Sequence, residues 1–409
     1  MKDLAAATGR KSRIVVMKFG GSSLATPALR DIAVQRVKNE IANGLQPVVV
    51  VSAMGRAPEP YSTDSLLGLA PARAGANRDL LAASGEAISA AVFATLLESA
   101  GVSARALTGA QAGIHTDKRH GDARIVRTDP NPVLARLNAG LTPVIAGFQG
   151  VSPEGAITTL GRGGSDLTAV ALAGALGNVR CEIFTDVDGV MTADPKRVPH
   201  AHTIGELTFE EVDELAANGA GIMHDRAAAL AREDQTPYSV LGLRSGEGTD
   251  IDRERPLGPD RPVTGLATIS GYAFCHLVPE AAAMPGGWEL DALRALRDAQ
   301  ISIDCININR AGLFFCVQGD DLNNARLALN KIPVALRFTP ECAKISIVGA
   351  GMRGTPGVMC AVVQVLVDAG VPIMHSTDSN ITISILVPGA RAAAAEAALH
   401  AHFGLDAKG

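Results

Sequence analysis

Aromatic side chains are scarce in this chain: one tryptophan, three tyrosines and ten phenylalanines among 409 residues. Its cores must therefore be built from Val, Ile, Leu and Ala. Basic charge is not in excess either. A formal net charge of −5 argues against a nucleic-acid or acidic-membrane partner, which would need a basic face. No apolar run approaches the roughly 18 residues of a membrane span. The opening MKDLAAATGRKSR lacks the apolar stretch of a secretory signal. Six cysteines (181, 275, 305, 316, 342 and 360) are scattered, with no CxxC and no histidine spacing typical of zinc. They read as small buried hydrophobes in a reducing cytoplasm. What is present is a globular composition, 47% hydrophobic and 19% charged, in a chain long enough for two or three domains.

Residues 13–250 alternate strand-like and helix-like stretches. RIVVMK (13–18) is an apolar strand that stops at Gly20-Gly21-Ser22-Ser23. PALRDIAVQRVKNEIANG (27–44) has helical periodicity, with Pro27 suited to the first turn and Gly44 to the end. PVVVVSA (47–53) shows no alternation, as expected of a strand buried on both faces. Further strands are expected at 143–147, 181–186 and 237–243. This rhythm predicts an α/β domain, a mostly parallel sheet sandwiched by helices. The charged, Gly- and Pro-rich 244–262 reads as a boundary. Beyond it, helix-then-strand stretches at 288–308 and 356–376 are each followed by a short strand, at 312–319 and 381–388. A period of about 70 residues points to a duplicated small α+β module.

Four stretches could carry chemistry. In MKFGGSS (17–23) a strand delivers Lys18, and Gly20 and Gly21 let backbone N–H groups approach an anion. A plain turn with an incidental lysine fits that piece equally. In GRGGSD (161–166) a glycine-rich turn opens an apolar helix, a ready anion site to which Arg162 adds a fork for a carboxylate or phosphate. FTDVDGVMTADPK (184–196) sets three aspartates and a lysine after a strand, suiting a nucleotide edge; the oxygen spacing of a calcium loop is missing. KISIVGAGMRGTPGV (344–358) imitates a dinucleotide fingerprint, but too little chain follows it, and the next strand ends in IMHS rather than an acid. Glu86 and Thr63 are explained by helix capping alone.

Taken in order, KFGGSS, SAMG…TDSLLGLA, SGEAIS, GRGGSD and FTDVDGVMTADP resemble the aspartokinases of the amino acid kinase family. The C-terminal duplication resembles their tandem ACT module, with VTGLATIS (263–270) a strand lent to the second unit. The resemblance implies an amino acid kinase catalytic domain over 13–250, a first ferredoxin-like ACT unit over 262–340 and a second over 341–405. It implies transfer of the ATP γ-phosphoryl group to the side-chain carboxylate of L-aspartate, with Mg²⁺ bridging phosphates. Lys18, Gly20, Gly21, Ser23, Thr185, Asp186, Met191 and Lys196 would hold the nucleotide. Ser52, Thr63, Glu86, Arg162, Ser165 and Asp166 would hold the substrate, with Lys18, Arg162 and Asp166 in the catalytic role. Met352, Thr355, Pro356 and Gly357 would cradle an amino acid effector: lysine, threonine or diaminopimelate. Plain packing suits that last group equally well. A cytoplasmic homo-oligomer, at least a dimer through the ACT units, is also implied.

One stretch departs from the family. NGAGIMHDR (218–226) puts Gly221 and Asp225 where a lysine and a proline are usual. Loss of the lysine's charged hydrogen bond to phosphate corresponds to roughly 1.5–3 kcal/mol, unless Lys18, Lys196 or Arg226 compensates. A kinase for another acidic amino acid, or a catalytically weak regulatory partner, remains open on this ground.

Overall fold

The structure, a computed structural model, describes residues 13–73, 75–220, 225–252, 262–279 and 287–406, with the side chain of Asp225 left out. The chain forms two compact units. Of the described residues, those within 1–190, 203–213 and 221–255 make up one, and those within 191–202, 214–220 and 256–409 the other.

The first unit contains strands β1 (Ile14–Phe19), β2 (Gln46–Val51), β3 (Ala104–Leu107), β4 (Ile114–Thr116), β5 (Ile125–Thr128), β6 (Thr142–Ala146), β7 (Gln149–Val151), β8 (Ile157–Thr159), β9 (Arg180–Thr185), β10 (Glu206–Thr208), β11 (Tyr238–Gly242) and β12 (Gly248–Asp252). Its helices include α1 (Pro27–Ala42), α2 (Thr63–Leu67), α3 (Ala76–Ser99), α4 (Asn131–Asn138) and α5 (Gly164–Ala175); α6 (Phe209–Ala217) and α7 (Asp225–Asp234) follow in the chain. Eight strands form one sheet in the order β10-β12-β11-β9-β1-β2-β6-β3. Every pairing is parallel except β11 with β12. Val15, Val16, Met17 and Phe19 are all buried, so β1 has no wet face, which is why its sequence does not alternate. Phe19 stacks on Phe184 of β9 with ring centroids 4.9 Å apart and tilts against Phe93 of α3 at 5.5 Å. Three phenylalanines thus meet where β1, β9 and α3 join.

α1 starts as its sequence suggests: Pro27 sits in the first turn and the Thr26 hydroxyl accepts from the Leu29 amide. α3 is long and apolar enough, by length and composition, to cross a membrane. It serves instead as a core helix, and it turns two carboxylates, Asp79 and Glu86, into the protein at 3% and 2% exposure. A small second sheet, in the order β5-β4-β7-β8, was not legible in the sequence. Its strands have three or four residues, too few for a period-two pattern to register.

The second unit holds β13 (Gly265–Pro279), β14 (Asp304–Asn309), β15 (Gly312–Gln318), β16 (Val334–Val348), β17 (His375–Asp378) and β18 (Thr382–Pro388). Helices α8 (Trp288–Asp298), α9 (Leu322–Leu329), α10 (Val358–Asp368) and α11 (Ala392–His402) accompany them. The strands form a single antiparallel sheet in the order β14-β15-β13-β16-β18-β17. The lent strand is no separate piece: β13 and β16 run 15 residues each and pair along their length. Gly265–Ser270 lies beside the second module's part of β16, while Tyr272–Leu277 also pairs with β15 of the first. Two cores result, one around Trp288, Leu296 and Phe315, the other around Ile345, Val362, Ile385 and Leu399. The latter core also takes in Ala193 and Val198. Within this unit the Thr192 hydroxyl lies 2.8 Å from His400 Nε2, and Thr382 donates to Glu214 at 2.8 Å. The antiparallel pairing of β16 on both sides rules out a dinucleotide fold for GAGMRG.

Candidate functional site

In the first unit the carboxyl ends of β1, β2 and β9 lie side by side, the usual location of ligand sites in open parallel sheets. A cavity of about 300 Å³ opens there, lined by Lys18, Gly20, Gly21, Ser52, Arg56, Thr63, Thr185 and Asp186, with Ser22, Ala53, Gly55 and Phe184 completing it. Lys18 is the last but one residue of β1, paired between Val50 and Ile183. Its ammonium lies 2.6 Å from Asp166 Oδ1, in the first turn of α5. Asp166, expected among the residues that hold the substrate, is therefore engaged with Lys18.

Gly21 is required by a close approach. A Cβ there would come within 2.7 Å of the Ala53 carbonyl oxygen and 2.9 Å of that of Gly55, both main-chain atoms. The Gly55 amide donates to the Gly21 carbonyl at 2.9 Å, so the β1 and β2 turns are stitched together. Ser23, expected among the nucleotide ligands, is buried. Its hydroxyl donates to the Phe184 carbonyl at 3.4 Å and ties the β1 turn to the end of β9. Thr185 donates to Asp186 Oδ1 at 3.0 Å, and both line the cavity.

Glu86 comes up from α3 against Ala53 and Thr63. Gly85 permits this, because a Cβ there would press within 2.9 Å of both Ala53 Cβ and the Tyr61 carbonyl. Glu86 Oε1 accepts from the Ala53 amide at 3.2 Å and from Thr63 Oγ1 at 3.4 Å. Oε2 is buried with no hydrogen-bond partner among the described residues. Burial pushes the carboxyl up to about 7, against weaker opposition from those hydrogen bonds. Capping does not account for Glu86, which sits mid-helix.

The Arg162 turn is set by glycine. Gly161 and Gly163 have φ of 76° and 71°, the left-handed region that other residues avoid. Gly163 caps α5, Ser165 is buried in its first turn, and Arg162 stays exposed without a hydrogen bond or ion pair among the described residues. The first N–H groups of an α-helix lack intrahelical partners, which is the physical basis of the anion site proposed at the start of α5.

Met191 and Lys196 belong to the second unit, where Lys196 is exposed and its amide donates to Asp194 Oδ1 at 2.9 Å. Gly221 lies outside the described residues. Arg226 is committed elsewhere, donating to the Leu160 carbonyl at 2.6 Å, to Asp122 Oδ1 at 2.7 Å and to the Ala123 carbonyl at 2.9 Å. It is not a spare cation for phosphates, and Lys18 is held by Asp166. In the second unit Met352 is buried in the core of Val362 and Ile385, so packing accounts for it. Thr355, Pro356 and Gly357 are exposed at the start of α10.

Residues 13–242 match the amino acid kinase family, and 337–401 match the ACT domain. Aspartokinase 1 of Bacillus subtilis is 38% identical over 404 residues, covering 96% of this chain and 100% of that protein. The structure of E. coli aspartokinase III with aspartate and ADP, in its R-state, superposes with a TM-score of 0.72 at 25% identity, covering 95% of this chain and 99% of the other. The same enzyme with lysine and aspartate, in its T-state, gives 0.76 at 25% identity, over 96% and 100%. The chain belongs to the amino acid kinase family and, within it, to the aspartokinases that carry ACT domains.

Proposed function

We propose that this chain transfers the γ-phosphoryl group of ATP to the side-chain carboxylate of L-aspartate, giving 4-phospho-L-aspartate. The observation that carries the reading is the cavity at the ends of β1, β2 and β9, which combines Lys18, the Gly20–Gly21 turn and Thr185–Asp186. A carboxylate acceptor is already ionised, so no general base is needed. Positioning and charge neutralisation do the work. Lys18 neutralises the transferring group, Arg162 grips a substrate carboxylate, and Glu86, hydrogen-bonded to Thr63, faces the substrate ammonium.

No cluster of three metal-ligating side chains occurs among the described residues. Mg²⁺ would therefore be held chiefly by the nucleotide phosphates, with Asp186 the carboxylate on the cavity, and would neutralise phosphate charge. ATP-dependent acyl phosphate formation from L-aspartate, trapped with hydroxylamine, tests the assignment. Turnover with aspartate supports it. Turnover only with another acidic acceptor, or none while an effector still binds, overturns it. Gly21→Ala is expected to raise KM for ATP roughly 10-fold, since overpacking against main-chain atoms costs about 1–3 kcal/mol. An unchanged KM would show that the turn yields.

Lysine, bound by the E. coli enzyme, is the first effector to test, with threonine and diaminopimelate beside it. Exposed Thr355, Pro356 and Gly357 are the surface proposed for it. A homodimer through the ACT units is proposed, to be checked by light scattering. Five of six cysteines are free and buried, as suits a reducing cytoplasm.

A further inference from the structure

Asp79 lies seven residues before Glu86 on α3, on the same buried side of the helix, yet it lines no cavity wall of the site. Four polar atoms converge on it. Oδ2 is 2.7 Å from His120 Nδ1 and accepts from the amides of Gly121 at 3.3 Å and Thr159 at 3.2 Å; Oδ1 accepts from the Thr159 hydroxyl at 2.8 Å. One carboxylate thus binds α3 to the end of β8 and to the segment 120–123.

That segment backs the Arg162 turn directly. A Cβ on Gly161 would lie 2.8 Å from Asp122 Oδ1 and 3.4 Å from the Gly121 carbonyl oxygen. The Ala123 amide donates to the Thr159 carbonyl at 2.8 Å. Arg226, reaching in from α7, closes the arrangement from the other side by binding Leu160, Asp122 and Ala123 with one guanidinium. Arg162 itself has no hydrogen bond or ion pair among the described residues, and it follows a glycine with a left-handed backbone. Its direction is therefore governed by what fixes Leu160 and Gly161.

We infer that Asp79 and Arg226 are positioning residues that together hold the 120–123 segment against Leu160–Gly161 and so aim Arg162 at the acceptor's carboxylate. This rests on the proposed aspartate kinase reading for the identity of the acceptor, but not for the clamp. A misplacement of about 1 Å can cost on the order of 100-fold in rate. The nucleotide side, built on β1, β2 and β9, shares none of these contacts. The loss should therefore fall on the acceptor alone.

The experiment uses the full chain with Asp79→Asn, Asp79→Ala and Arg226→Lys. Hydroxamate kinetics give KM for L-aspartate and for ATP separately, and amide hydrogen exchange is followed over 119–124 and 160–164. Asp79→Ala should raise KM for aspartate roughly 10- to 100-fold, with KM for ATP within about twofold. Asp79→Asn, which keeps one acceptor oxygen for Thr159, should fall between it and wild type. Arg226→Lys keeps the charge but loses the fork, and serves should Asp79→Ala fail to fold. Exchange should quicken in both segments. If both KM values rise together, or neither moves while the protein merely melts earlier, the residues are structural and the inference fails. If wild type makes no hydroxamate from aspartate, the kinase reading fails; unchanged exchange in the variants would then still overturn the clamp, and faster exchange confined to these segments would uphold it.

Discussion

Lys18→Met lowers kcat for hydroxamate formation by roughly 100- to 1000-fold, the range found when one preorganised charge-stabilising group is removed. Methionine is nearly as long and as apolar as the lysine stem, so β1 keeps its packing between β2 and β9. The chemical effect is larger than deletion of one cation. Asp166, 2.6 Å from the ammonium, is left as an unpaired carboxylate close to the phosphates. The cavity changes from nearly neutral at this pair to negative. Asp166→Asn alone leaves Lys18 charged but unanchored, and is expected to cost about 10-fold. Because the two residues act as a unit, the double variant should be no worse than Lys18→Met. Initial rates at saturating ATP and aspartate check this. A Lys18→Met kcat within threefold of wild type would falsify the role assigned to the pair.

The strands that build the site were legible because they are buried on both faces, and a run such as VVVV at 48–51 has few other uses. The glycine turns were legible for a related reason. Gly21, Gly161 and Gly163 each meet a main-chain atom or a left-handed φ, constraints that only glycine satisfies. Long-range pairing was not legible. Ser23, which reads as a ligand in GGSS, turns to a carbonyl 161 positions away. Arg226 sits in a stretch that departs from the family pattern, and its three partners lie 66 to 104 positions distant. Asp79 gave no signal, since a lone aspartate near a helix start is ordinarily a cap. Residues 191–202 begin inside the nucleotide-like motif and 214–220 come after it with no break in composition, yet both belong with the ACT sheet. What assigns them there is apolar contact of Ala193 and Val198, which no local pattern distinguishes.

Glu86→Gln stabilises the protein above neutral pH while weakening its affinity for aspartate. The folded-state carboxyl is raised from the ordinary 4.5 to about 7, and burial is the dominant cause. A raised value means that the folded state binds the proton more tightly than the unfolded chain. Its contribution to stability is fully present below about pH 4.5 and is lost as pH rises through about 7. The loss amounts to about 3 kcal/mol. Glutamine carries no charge to desolvate, so the difference in melting temperature, variant minus wild type, should grow between about pH 5 and pH 8 and then level off. Glu182, which burial also raises to about 7 despite its 2.6 Å ion pair with Arg180, is common to both proteins and cancels. A difference that stays constant over this interval would remove the claim that Glu86 is held as a strained charge. The same strain explains the expected loss of function. Oε2 has no partner among the described residues, and a substrate ammonium would supply one, lowering the carboxyl's proton affinity. Aspartate binding to the wild-type protein near pH 6.5 should therefore release protons, measurable as a dependence of binding heat on buffer ionisation enthalpy. Glu86→Gln should abolish that release and raise KM for aspartate at least 10-fold, as expected for a lost charged hydrogen bond.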